Sequence, residues 1–184
     1  MLSKDAIADS PAAVQLEHLI ILCVAFETAG LPFWVDGGWG VDALLRRQTR
    51  PHSDLDLAVR LDDLPAFERV LQARGYARAD RAGDPDWNWV FRNPAGQQVD
   101  VHGFVLDASG NGVLGDPADG AMYPEGSLTG AGQLGDDKMP CIAAPFVLLF
   151  RNGFEPRAVD HHDVAALCEQ FGLPRPSRFQ PSGD

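Results

Sequence analysis

The sequence predicts an α+β domain in which strands carry polar residues to one edge and helices cover the apolar faces. Three observations point to that class. Residues 31–35 form a short apolar run broken by Gly37-Gly38 ahead of a helical pattern. Residues 54–60 alternate aliphatic side chains with Asp54, Asp56 and Arg60, as a strand with one buried face would. Apolar residues then recur at helical spacing near residues 62–74 and again over 144–171. At 184 residues the chain suits a single domain. An α/β core is expected over about residues 11–142, a C-terminal helical segment over about 143–172, and a tail over 173–184.

In chain order, Ser10-Pro11 reads as an N-cap followed by proline at the first helical position, opening a helix that ends near Gly30. Its Val14, Leu16, Leu19, Ile20, Cys23, Val24 and Phe26 give it a broad apolar face and a packing role. Residues 31–35 suit a buried strand. The glycines after it allow a sharp turn, and a helix starting at Trp39 would present bare amides that phosphate oxygens can approach.

Asp62-Asp63-Leu64-Pro65 opens an amphipathic helix that stops at Gly75. Residues 76–80 and 87–91 read as strands around the turn-forming residues 81–85. Trp87, Trp89 and Phe91 alternate, giving that strand one aromatic face, either core or pocket wall. After the Asn93-Pro94-Ala95-Gly96 turn, residues 97–104 return as a strand. Val99, Val101 and Gly103 share one face, and Asp100 and His102 the other. Laid antiparallel beside the Asp54 strand, it would bring Asp100 to the two earlier acids.

Residues 107–138 are glycine-rich and acidic, as hairpins or a functional loop would be. Ala144-Pro145 starts an apolar helix ending near Gly153, and a last helix runs from about Asp160 to Phe171. Asp160 and Asp163 suit its N-terminal end. A metal cluster with His161 and His162 is the alternative. Capping and interhelix contacts are favoured, because adjacent histidines on a helix point in different directions. The proline-rich end from Pro174 is expected to be extended.

The chemistry concentrates in Asp54 and Asp56. Two carboxylates on one strand face, roughly 6–7 Å apart, repel each other unless a cation lies between them. An isolated Asp-x-Asp is more often a solvated strand face. The preceding double glycine, with Arg50 and His52 just upstream, favours a metal and phosphate site instead.

Trp34-Val35-Asp36-Gly37-Gly38-Trp39-Gly40-Val41-Asp42, followed by Arg50-x-His52-x-Asp54-x-Asp56, resembles the small antibiotic nucleotidyltransferases of the lincosamide and aminoglycoside 2″ types. These are built on the polymerase β-like nucleotidyltransferase fold. The similarity continues at Val99-Asp100-Val101-His102, Pro140-Cys141-Ile142, Leu148-Leu149-Phe150 and Asp160-His161-His162-Asp163, and together covers most of residues 30–168. The resemblance implies a mixed sheet flanked by helices, with C-terminal helices. It further implies transfer of a nucleoside monophosphate from a triphosphate, ATP by preference, to a hydroxyl of a small antibiotic, with pyrophosphate released. A lincosamide is favoured as acceptor and an aminoglycoside is the alternative; a nucleotide-binding regulator without turnover is a further one.

In that picture Asp54, Asp56 and Asp100 hold two Mg2+ ions, with Asp100 either a ligand or the base. Gly37 and Gly38 cradle phosphate, Arg50 neutralises its β/γ end, and His52 contacts phosphate or shapes the strand entry.

A net charge of −11 and a pI near 4.7 oppose non-specific attraction to nucleic acid, so none is expected as a partner. Cys23, Cys141 and Cys168 lack disulfide or zinc spacing, and a reducing compartment is the default. The longest apolar run, residues 19–26, is too short to span a bilayer and the start is unlike a signal peptide. A cytoplasmic protein with no membrane partner is expected, and a homodimer is allowed.

Overall fold

A computed structural model describes residues 13–79, 83–153 and 155–180. The elements run α1 (Leu16–Thr28), β1 (Phe33–Val35), α2 (Gly37–Leu45), β2 (Asp54–Arg60), α3 (Leu64–Gln72), β3 (Ala77–Arg78), β4 (Asn88–Arg92) and β5 (Gln98–Leu106). After these come β6 (Gly112–Leu114), β7 (Met122–Tyr123), β8 (Gly130–Leu134), β9 (Asp137–Cys141), α4 (Ala144–Arg151) and α5 (Ala158–Phe171). The strands form one mixed sheet ordered β3-β4-β5-β2-β1-β9-β8, with β6 beside β5 and β7 beside β6. Helices flank this sheet, so the fold is α+β with C-terminal helices.

Period-two alternation decides what each face does. Leu55, Leu57 and Val59 are fully buried. Val59 lies opposite Phe33, whose ring meets Phe26 of α1 at 5.6 Å; Phe26 in turn meets Phe67 of α3 at 4.7 Å. Side chains of this size each stabilise by about 1.5–3 kcal/mol when fully buried. The opposite face carries Asp54, Asp56 and Ala58 on β2, beside Gln98, Asp100 and His102 on β5. Farther along it turns apolar, where Trp34 packs on Phe104 and Phe104 on Tyr123.

Helix α2 passes through the middle of the molecule, with Trp39 through Leu45 all buried. Two glycines make its fit feasible. A Cβ at Gly40 would stand 2.8 Å from the Val35 carbonyl oxygen, and one at Gly132 of β8 would collide with Ala43.

Five expectations need correction. Strands β2 and β5 pair parallel, because α3, β3 and β4 intervene and β4 takes the antiparallel place beside β5. Strand β4 starts at Asn88, so Trp87 sits in the turn before it, its ring edge-on to His102 at 5.7 Å. Trp89 lies beneath Gly103, and the expected aromatic stripe is split. Helix α2 begins at Gly37 rather than Trp39, capped by Asp36. Finally, the tail is anchored: Phe179 is buried with its ring 5.1 Å from His161. The first helix also starts later than the expected Ser10-Pro11: Val14 bridges to His52, Gln15 is extended and α1 begins at Leu16, while Ser10 and Pro11 themselves, and parts of the 76–80 strand and 81–85 turn, lie outside the described residues.

Candidate active site

The strand-to-helix turn after β1 fixes one wall of a cleft of about 550 Å3. Asp36 leaves the strand extended, and its side chain accepts from the Gly37 amide at 2.7 Å. Gly37 has φ +58, a left-handed value that glycine adopts without Cβ strain. Its missing side chain matters as well, because a Cβ there would collide with the Asp56 carboxylate, and one at Gly38 would collide with His52 and Arg50. The double glycine therefore admits Asp56 and the Arg50/His52 pair to the turn.

Asp54 and Asp56 project into this cleft from β2. Asp100 is the register partner of Asp56 on the adjacent parallel strand, which places the two Cα atoms about 4.8 Å apart. The three predicted acids thus share one face of two neighbouring strands. Asp100 is buried behind the cleft wall and accepts from Gln98 Nε2 at 2.6 Å.

Sequence reasoning missed a second layer around these acids. The Tyr123 hydroxyl donates to Asp36 at 2.9 Å and lies 3.1 Å from His102 Nδ1. The other His102 ring nitrogen stands 3.9 Å from Asp56 Oδ1. Burial pushes the Asp36 carboxyl up, but His102, the Gly37 amide and Tyr123 outweigh it and leave the group below its ordinary value. The Asp56 carboxyl is pushed up to about 7, first by burial, then by Asp54, with Asp36 and Asp100 adding to it and His102 opposing. Burial lowers the His102 imidazole, and the surrounding Asp36, Asp56 and Asp100 more than reverse that. Three negative groups held together around Asp56 form a site that a cation would relieve. The only sequence signals were that Asp36 directly precedes the glycines and that His102 shares a face with Asp100.

Arg50 and His52 line the cleft, but their polar atoms are engaged. Arg50 grips Asp163 through Nε at 2.9 Å and Nη2 at 2.8 Å. His52 is buried against Asp42, with Nε2 to Oδ2 at 2.5 Å, and Trp39 lies 4.5 Å from its ring. Asp42 also accepts from the Thr49 amide and hydroxyl. Together these bonds fold the loop that delivers β2. Arg151 joins Asp160 to Asp163, and Arg157 binds Asp160 in turn. The acids of α5 therefore serve as cap and interhelix links, as expected from their spacing. Val147, Phe150 and Val159 add apolar surface to the cleft beside Arg151 and Arg157.

Carboxylate oxygens suit a hard cation such as Mg2+. Among the described residues no three potential ligands converge as a ready-made cage. Mg2+ does not require one, since it is commonly held by one or two carboxylates together with substrate phosphates and water. Among the same residues no helix is long and apolar enough to cross a membrane.

Known proteins are similar to this chain in sequence and fold. The family model described as aminoglycoside-2″-adenylyltransferase matches residues 18–167. A lincosamide resistance protein of Staphylococcus haemolyticus is 26% identical over 156 residues, covering 82% of this chain and 92% of that protein. The Escherichia coli 2″-aminoglycoside nucleotidyltransferase is 41% identical over 64 residues, 33% of this chain and 35% of its own length. Among solved structures, the lincomycin-bound lincosamide antibiotic adenylyltransferase LnuA superposes with a TM-score of 0.73 at 26% identity, over 85% of this chain and 98% of that one. ANT(2″)-Ia in complex with adenylyl-2″-tobramycin shares the fold, with a TM-score of 0.66 at 19% identity over 84% of this chain and 88% of its own.

Proposed function

The chain belongs to the aminoglycoside-2″-adenylyltransferase family, and on that footing we propose that it moves a nucleoside monophosphate from a nucleoside triphosphate, ATP by preference, to a hydroxyl of a lincosamide-type antibiotic. Pyrophosphate leaves. The observation that carries this reading is the placement of Asp54, Asp56 and Asp100 on one face of two adjacent strands, with Asp54 and Asp56 lining a cleft that is also lined by Val147, Phe150 and Val159 and by Arg151 and Arg157.

A triphosphate is itself strongly negative and cannot meet three carboxylates directly. Mg2+ would be held by Asp54 and Asp56, with Asp100 behind them. When bound it would supply charge neutralisation at the attacking and leaving oxygens. The chain's own residues supply position. Gly37 and Gly38 bring the main chain close to the phosphates, and Asp36, bonded to the Gly37 amide and Tyr123, stands with His102 as a polar layer beside Asp56. Asp100 either completes the ion site or takes the proton of the attacking hydroxyl. Catalysis rests on positioning and on charge stabilisation of the α-phosphorus transition state.

Val147, Phe150 and Val159 favour an acceptor with an apolar portion over one carrying many ammonium groups, and the lincosamide relative is matched over nearly its whole length. An aminoglycoside is the second reading, carried by the 41% identity of the shorter segment. A cytoplasmic setting without nucleic-acid or membrane partners belongs to the same proposal. Incubation with mixed nucleotides and Mg2+, against lincomycin and an aminoglycoside panel, followed by mass spectrometry, tests it. A mass gain of one nucleoside monophosphate on lincomycin is expected; a gain on aminoglycosides alone would transfer the assignment to the second reading.

A further inference from the structure

We propose that Arg157, rather than Arg50, receives the β- and γ-phosphates of the nucleotide and thereby makes the cleft selective for a triphosphate over a monophosphate. This inference rests on the nucleotidyltransferase reading above.

Among the described residues three arginines line the cleft, and they differ in what they have left to give. Arg50 spends Nε and Nη2 on Asp163, while its Nη1 lies 3.3 Å from the Pro51 carbonyl and 3.0 Å from His52 Nδ1. Arg151 divides its two terminal nitrogens between Asp160 and Asp163, and its side chain is only 8% exposed. Arg157 uses Nε and Nη2 on Asp160, at 2.9 and 3.1 Å, but 68% of its side chain is exposed. Its Nη1 makes no hydrogen bond among the described residues.

Charge counting leads to the same residue. Two carboxylates, Asp160 and Asp163, are shared by three guanidiniums, and Arg50 has Asp42 close by as well, so the guanidinium surplus of this ladder falls to Arg157. That surplus sits at the exposed end of the ladder. Arg157 lines the same cleft as Asp54 and Asp56, and their negative charge acts on it. A nucleotide whose α-phosphate meets those acids would extend its phosphate tail toward this ladder. A guanidinium already oriented by a buried carboxylate offers its remaining N–H groups in a fixed fork, a geometry matched to phosphate oxygens.

Calorimetric titration with α,β-methylene-ATP and with AMP, each in Mg2+, tests the assignment on wild type, Arg157→Gln and Arg157→Lys. Arg157→Gln is expected to weaken the triphosphate analogue by about tenfold or more, the loss of a charged phosphate contact, while AMP affinity stays within about twofold. Arg157→Lys, which keeps the charge without the fork, should recover part of the loss. If the Gln variant does not fold, Arg157→Lys alone is expected to weaken the analogue and leave AMP unchanged. Unaltered binding of the analogue by either folded variant, or equal losses for both nucleotides, would overturn the role of Arg157. Failure of wild type to bind the analogue would instead remove the nucleotidyltransferase reading on which the role depends.

Discussion

Arg50 and Asp163, 113 residues apart in the chain, meet through two near-parallel N–H···O bonds that tie the loop before β2 to helix α5. Asp163 is almost wholly buried and also holds Arg151. Removing one partner of a buried pair leaves the other desolvated and uncompensated, at a cost of roughly 3–5 kcal/mol. Asp163→Asn is therefore expected to lower the urea midpoint strongly. Arg50→Lys, which keeps charge but not the fork, should lower it by less. A Lys variant as active and as stable as wild type would contradict the anchoring role given to Arg50.

Gly37 is held to its identity twice, by φ +58 and by the Asp56 carboxylate beside it. Gly37→Ala would add about 1–2 kcal/mol of backbone strain and push the Asp56 side chain out of place. The expected result is a protein that still folds by circular dichroism but loses about a hundredfold or more in turnover. Near-normal turnover would mean that Asp56 need not occupy its observed position.

Asp160 gives the fold an acid-sensitive joint. Burial alone would raise its carboxyl, but the Arg157 side chain and amide, with Arg151, hold it down at about 2. A group lowered on folding contributes stability that is fully present above its unfolded value near 4 and lost as pH falls toward 2. Urea midpoints measured from pH 5 to pH 2 should fall across that window. Asp160→Asn should be less stable at pH 5 and show a flatter profile.

The opposite sign applies to Asp56. Its carboxyl is raised to about 7, so in metal-free protein its contribution is present below pH 4 and lost as pH rises through 7. In EDTA at pH 8, Asp56→Asn should melt higher than wild type, by roughly 2–4 °C for each kcal/mol of repulsion removed. A lower melting temperature would show that Asp56 is not in electrostatic conflict with its neighbours.

Much of this was readable before the structure, and the exceptions share a cause. Alternation in residues 54–60 and 97–104 fixed which side chains share a face, because parity survives whichever way a strand runs. It could not fix strand direction, so the expected antiparallel neighbour of β2 is a parallel one. Arg50 and His52 line the cleft, but their spacing in the sequence could not reveal Asp163 or Asp42 as partners. Long-range ion pairs leave no periodic trace. The Tyr123 bond to Asp36 went unread for the same reason, since it joins a glycine-rich stretch to a helix cap 87 residues away. Phe179 looked like tail because prolines dominate its surroundings, although one aromatic ring suffices to anchor them.

Everything turns on whether Asp54, Asp56 and Asp100 act together on a nucleotide. The most direct measurement is Mg2+-dependent transfer to lincomycin, followed by mass spectrometry, for wild type and the three Asp→Asn variants. Modified lincomycin from wild type alone is expected, with each variant reduced by at least about a thousandfold; a base role for Asp100 would leave its nucleotide affinity intact. Substantial transfer by Asp54→Asn or Asp56→Asn, or by wild type in EDTA, would contradict the account.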